Sequence, residues 1–299
     1  MGHELLVGAH MSIAGGMHLA FERGVRAGCL TLQLFLKNST QWKGKALAEA
    51  DRLLFREAES HSGIRPVLAH SSYLINLASP DPVLRRKSLD AFQDEMERAR
   101  LLGVPFLVLH PGSHMGAGEK QGIARVADGL DQALERIGPP VMILLENTAG
   151  QGTSIGHRFE HLAAILRSMR HADRVGVCID TCHTFAAGYD IRTRKAYMRT
   201  VDEIDRFIGL QRVRAIHVND CRKELGSHVD RHTHIGQGLL GLEPFRLLVN
   251  DERFAGTPKI LETPKGEDLK EDMMNLATLR SLVSRGSARS IRKRSRGTD

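Results

Sequence analysis

The chain has 299 residues, four cysteines, 41% hydrophobic residues and a formal net charge of +7. That length suits one large domain or two small ones, with a sizeable core in either case. There is no apolar run of membrane-spanning length, no charged-then-apolar leader at the N-terminus and no disulfide-like cysteine framework, which excludes a membrane span and a secreted disulfide scaffold. A cytoplasmic protein is therefore expected.

The charge is unevenly placed. Residues 285–299 carry six Arg or Lys and one acid, a net of +5, so the remainder carries only +2 (7 minus 5). That stretch has no apolar periodicity and reads as a basic, disordered tail, either a solvated end or a salt-sensitive nucleic-acid arm.

In chain order, strand-length apolar runs alternate with helix-length amphipathic stretches. Leu5–Ala9 is followed by a helix near Gly16–Ala27, and Leu30–Leu36 by one near Ala46–His61. Pro66–Ala69 precedes Asp81–Leu102, Phe106–Leu109 precedes Glu119–Ile137, and Val141–Leu145 precedes Arg158–Met169. Val175–Ile179, Val213–Ile216 and Pro258–Leu261 precede Arg194–Ile208, Leu242–Val249 and Glu267–Val283. Asp81-Pro82 is a cap followed by a first-turn proline, and Gly63 and Gly103 sit where helices end. Strands this apolar, each followed by a helix, predict an α/β fold with a parallel sheet covered by helices. Eight such units predict a single (β/α)8 TIM barrel over residues 1–283, with 284–299 as the basic tail. An open doubly wound sheet is the alternative, but no G-x-G-x-x-G follows a strand.

In such a barrel, chemistry sits where strands end. Those positions hold His10, His70, His110, Glu146, Asp180 with His183, His217 and Glu262, and the loop after the seventh strand adds Asp230 and His232. One histidine there is usually structural. So many together are not explained by packing, because burying unpaired charge is costly. His10 is left outside the donor set as a packed or orienting imidazole. His114, His228 and His234 lie near donors in sequence and could orient them. His3, His18, His61, His157, His161 and His171 read as surface residues. Cys182 reads as packing rather than a soft ligand, and Cys178 points the same way as Asp180 but deeper. His70, His110, Glu146, Asp180, His183, His217, Asp230, His232 and Glu262 exceed what one ion uses, which suggests two or three ions suited to an anionic substrate such as a phosphodiester.

Three signatures carry a resemblance: Ala69-His-Ser-Ser-Tyr-Leu-Ile-Asn76, Gly176-Val-Cys-Ile-Asp-Thr-Cys-His183 and the segment from Ile216 to His232. Together with Gly8–Ser12, His110–His114, Glu146–Gly152 and Ile260–Thr263, they resemble endonuclease IV, the zinc-dependent abasic-site endonuclease family. The likeness implies three zinc ions. His70, His110 and Glu146 would hold the first; Glu146, Asp180, His217 and Glu262 the second; His183, Asp230 and His232 the third. Glu146 and Glu262 would be the catalytic carboxylates. The implied substrate is double-stranded DNA with abasic sites, cut 5′ to the lesion by a zinc-activated hydroxide, with trimming of blocked 3′ ends, by a monomer without membrane attachment. Tyr73 and Leu74 match wedge residues, and Lys37, Asn38, Gln41 and Trp42 match a DNA-contacting loop. The sequence departs from the family at Thr40, where an arginine is common, and at Cys221 and Gln237. A xylose-isomerase-like sugar isomerase or epimerase is the alternative.

Overall fold

The structure is a computed structural model and describes residues 5–284; of the tail expected at 284–299, residues 285–299 lie outside the described residues, as does His3. The strands are β1 (Val7–His10), β2 (Thr31–Phe35), β3 (Val67–His70), β4 (Phe106–Leu109), β5 (Met142–Glu146), β6 (Val175–Asp180), β7 (Val213–His217), β8 (Asp220–Cys221), β9 (His232–Thr233) and β10 (Lys259–Leu261). The helices are α1 (Leu19–Ala27), α2 (Glu49–Ser62), α3 (Pro82–Leu102), α4 (Glu119–Arg136), α5 (Phe159–Ser168), α6 (Thr181–Ala186), α7 (Arg194–Phe207), α8 (Glu243–Val249) and α9 (Lys270–Ser281). Eight parallel strands close a barrel in the order β1-β10-β7-β6-β5-β4-β3-β2, as expected, while β8 and β9 form a small antiparallel pair.

Side chains alternate across a strand, and this sorts the barrel into layers. Leu68, Val108, Leu144, Cys178, Ala215 and Ile260 form one buried cluster inside it. Two residues further along each of those strands stand His70, His110, Glu146, Asp180, His217 and Glu262. The apolar layer is therefore the floor beneath the candidate donors, and Cys178 belongs to that floor. Outward-facing residues such as Leu32, Val67, Leu107 and Ile143 join helix residues such as Phe21, Phe92 and Phe159 in the main core. Each such buried side chain contributes about 1.5–3 kcal/mol. Gly8 is required by close approach, since a Cβ there would lie 1.6 Å from the Thr31 carbonyl oxygen.

The caps explain where helices begin and stop. Asp81 Oδ1 accepts from the amides of Val83 and Leu84, and Pro82 opens α3. Gly63 and Gly103 end α2 and α3 in the left-handed region, at φ 67° and 78°. Helix α1 starts later than expected because Gly15 and Gly16 hold positive φ. Helix α6 and the β8–β9 pair are additions to the expected elements; both are too short to carry periodicity. Among the described residues, no helix is long and apolar enough to cross a membrane.

Candidate metal centre

At the C-terminal mouth of the barrel, the nine candidate donors converge. His70, His110 and Glu146 offer ligand atoms all within 4.8 Å of one another; so do Glu146, Asp180, His217 and Glu262, and so do His183, Asp230 and His232. Glu146 joins the first two groups and is fully buried. Its Oε2 lies 3.1 Å from both His70 Nε2 and His110 Nε2, and its Oε1 3.1 Å from His217 Nδ1. His232 Nε2 lies 3.1 Å from Asp230 and 3.7 Å from Asp180, which draws the third group towards the second.

The imidazoles are oriented from behind. His70 Nδ1 donates to the Ser71 carbonyl (2.7 Å), His183 Nδ1 to that of Asn147 (2.9 Å) and His232 Nδ1 to that of Glu262 (3.3 Å). A carbonyl only accepts, so each Nδ1 carries a proton and each ring turns Nε2 towards carboxylate oxygens, which also only accept, so a proton or a cation belongs between them. Buried His232 Nε2, although 3.1 Å from Asp230, makes no hydrogen bond. Lone pairs facing lone pairs fit a cation placed between them, and mixed imidazole and carboxylate donors suit zinc-like divalent ions.

The electrostatics agree. Burial opposes ionisation of Glu146, but the His217 and His110 imidazoles hold its carboxyl well below the usual range. Burial likewise opposes ionisation of Glu262, and His217 and His10 outweigh it. At His183, burial works against the charged ring, yet Asp180, Asp230 and Glu146 raise its pKa well above the ordinary value. His70 is raised too, with Glu146 overcoming burial. Without a metal, protons would take the place of ions.

Residues that the sequence reading missed hold the donors. Asn147 Oδ1 accepts from the Asp180 amide (2.7 Å). Asn219 donates to Asp180 Oδ2 (2.7 Å) and accepts from the Glu262 amide (2.8 Å). Asp220 accepts from the amides of Cys221, Gly236, Gly238 and Leu240, pinning the loop that carries Asp230 and His232. The signal is present in the chain, since Asn147 and Asn219 follow donors directly or by two residues.

Several expectations need correction. His114, His228 and His234 bond to the Gly118 amide, the Ala149 carbonyl and the Asn275 side chain, so they orient no donor. His161 is not a surface residue: it is 2% exposed, with Nε2 3.2 Å from Glu119 and the Arg158 guanidinium against it. Glu119, His157 and His161 thus form a cluster already occupied by a guanidinium. Cys182, by contrast, packs as expected: it is buried near Asp180 and His232, and its hydrogen bond with Cys221 and burial push the thiol up.

The loop residues divide. Asn38, Thr40 and Gln41 are exposed on one lip of the mouth. Thr40 is tied by its amide and hydroxyl to Asn38 Oδ1 (3.0 and 2.8 Å). Tyr73 is 63% exposed, with Leu74 half-buried beside it. The Tyr73 ring stands 5.5 Å from His70 and 5.6 Å from Phe35, an aromatic support not expected from the sequence. Lys37 does not join them. Its ammonium is buried 2.6 Å from Glu95 and donates to the Trp42 carbonyl, so it cannot reach a phosphate from this position. The resemblance puts Lys37 in a loop expected to contact DNA; burial is what a motif match does not reveal.

The fold and the donor set place the chain in a broad class. The family described as xylose isomerase-like TIM barrel matches residues 21–279. Within it, the chain is 55% identical over 277 residues to the probable endonuclease 4 of Chloroflexus aurantiacus, covering 92% of this chain and 97% of that one. It is 56% identical over 284 residues to the probable endonuclease 4 of Geobacter sulfurreducens, covering 93% and 95%. The endonuclease IV crystal structure from Thermus thermophilus superposes with a TM-score of 0.82 at 38% identity, covering 92% and 98%. The chain belongs to the endonuclease IV family and is an enzyme of that endonuclease class.

Proposed function

We propose that this enzyme hydrolyses the phosphodiester 5′ to an abasic site in duplex DNA, using three zinc ions, and leaves a 3′-hydroxyl and a 5′-deoxyribose phosphate. Trimming of blocked 3′ ends would use the same site. The observation that carries the reading is the convergence of nine donors in three groups, with bare imidazole nitrogens facing ionised carboxylates. His70, His110 and Glu146 would hold one ion; Glu146, Asp180, His217 and Glu262 a second; His183, Asp230 and His232 a third. Bound zinc would supply a nucleophilic water at neutral pH and positive charge for the phosphoryl oxygens.

The chain's own residues do the rest. Glu146, offering both oxygens, ties the first two sites together and, with Glu262, is the carboxylate on which turnover depends. Tyr73 and Leu74, beside His70 at the mouth, would wedge into the base stack and favour extrusion of the baseless nucleotide. Asn38 and Gln41 line the neighbouring loop after β2 for backbone contacts. Residues 1–283 act as one catalytic domain, as a monomer, with 284–299 as a basic arm. A sugar isomerase would need only the group of Glu146, Asp180, His217 and Glu262. The separate trio His183, Asp230 and His232 and the exposed Tyr73 favour the nuclease.

The test is a duplex with a single abasic site, its products identified by mass spectrometry. Expected are a fragment ending in 3′-hydroxyl and one beginning with 5′-deoxyribose phosphate. An intact duplex together with epimerisation of ketose sugars would establish the isomerase instead.

Two expected results follow from charge. His70 and His183 have pKa values raised above 6.5 in the metal-free fold, so they contribute stability below about that pH and lose it as pH rises through the raised values. Zinc replaces those protons, so the rise in Tm on adding zinc should be small near pH 6 and larger near pH 8. Thermal melts with and without zinc at the two pH values check this; an equal rise at both would contradict it. Removing residues 285–299, with six basic side chains, should weaken duplex binding. It should also flatten the plot of log affinity against log salt, by about 0.9 for each phosphate the tail no longer neutralises. An unchanged slope in a salt titration would assign the tail no role in binding.

A further inference from the structure

Gln33 stands among the donors without having been read as one of them. It lies on β2, paired in register with His10 of β1, and is fully buried at the level of the candidate ligands. A primary amide in a barrel interior needs partners for two N–H donors and an oxygen. Gln33 finds all of them within the site. Its Nε2 lies 2.6 Å from Glu262 Oε1 and 3.0 Å from His10 Nδ1, and its Oε1 lies 2.9 Å from His217 Nε2.

The orientation of this amide is decided by its neighbours. Gln33 Nε2 donates to Glu262 Oε1 at 2.6 Å, and the flipped amide would press its oxygen against that carboxylate oxygen. The Gln33 oxygen then faces His217, and His217 must carry its proton on Nε2 to satisfy it. That leaves His217 Nδ1 bare, 3.1 Å from Glu146 Oε1 and 3.2 Å from Glu262 Oε2. The same amide holds Glu262 by Oε1 and so turns Oε2 towards that nitrogen. One side chain thus sets the tautomer of one donor and the rotation of another.

We infer that Gln33 is a positioning residue for the metal group built from Glu146, Asp180, His217 and Glu262: it selects the His217 tautomer that leaves Nδ1 free for the ion and aims Glu262 Oε2 at the same point. This rests on the reading of that group as a metal site. The backbone carbonyls of Ser71, Asn147 and Glu262 do the same for His70, His183 and His232. His217 is buried inside the barrel and bonds its outer nitrogen to a side chain from another strand instead. Its orientation therefore depends on a residue that mutation can remove.

The experiment compares wild type with Gln33→Met, close in size but without donor or acceptor, and with Gln33→Ala should the first fail to fold. Circular dichroism monitors folding. Zinc per chain is measured by elemental analysis before and after challenge with a chelator, and incision kinetics are taken on an abasic duplex. The expected result is a folded variant that loses one zinc per chain first, with kcat lower by about 10–100-fold, the usual scale for residues that orient ligands. KM for the duplex should stay unchanged, since Tyr73 and the lip residues are untouched. A merely structural role would leave zinc retention as in the wild type. Retention and kcat within twofold of wild type would overturn the inference and leave the proposed function standing. A wild type that binds no zinc would overturn the proposed function, and this inference with it.

Discussion

Glu146→Gln is expected to lower incision by about a thousandfold, close to 4 kcal/mol of transition-state stabilisation. Glu146 divides its oxygens, Oε2 towards His70 and His110 and Oε1 towards His217. An amide keeps one oxygen and puts an N–H2 group in place of the other. That group would donate to a bare imidazole nitrogen, filling the lone pair an ion would use and leaving it one ligand fewer. The change conserves volume in a fully buried position, so the barrel should still fold. Incision assays with elemental analysis check it: activity and zinc should fall together. Turnover near the wild-type rate would show that Glu146 does not bridge.

The second large effect concerns stability. Lys37 and Glu95 form an ion pair at 2.6 Å, with side chains 3% and 2% exposed. Glu95 also accepts from the Ser72 amide, while Lys37 donates to the Trp42 carbonyl and Ser72 Oγ to that of Ser39. The pair therefore clasps the lip carrying Asn38 and Gln41 to the turn carrying Tyr73 and Leu74. Burial pushes the Glu95 pKa up in spite of Lys37, so the pair is no large source of stability in itself. Removing one partner is another matter. Glu95→Gln strands a buried ammonium and is expected to cost ~3–5 kcal/mol, read from denaturant unfolding. The double replacement Lys37→Met with Glu95→Met should recover most of that loss. It should still bind abasic duplex less tightly, because the two lips are no longer tied. A single variant as stable as wild type would deny that the pair is buried and coupled.

How far the sequence reveals this site depends on which residues are considered. Strand ends are legible because an apolar run that stops at His, Asp or Glu marks where a barrel strand leaves the core. The period of two then makes Cys178 the floor beneath Asp180 from the sequence alone. Three kinds of residue escape such a reading, each for a physical reason. Gln33 sits inside an apolar run, and only the closed barrel shows that its amide spans His10, Glu262 and His217. Lys37 reads as part of a DNA-contacting loop and His161 as a surface group, but the neighbours that bury them, Glu95 and Arg158 with Glu119, are distant in sequence or on an element whose facing the sequence does not give. The orienting partners of His70, His183 and His232 are backbone carbonyls, which no residue type announces. Thr40, where the family commonly carries an arginine, turns its hydroxyl back on Asn38.

The most direct measurement is a zinc titration of metal-stripped enzyme, following incision of an abasic duplex against zinc bound per chain. No incision at zero zinc and a plateau reached only at about three ions per chain are expected from three donor groups of the size that zinc takes. Full incision by the stripped protein, or a plateau at one ion, would contradict a cluster held jointly by the nine converging side chains.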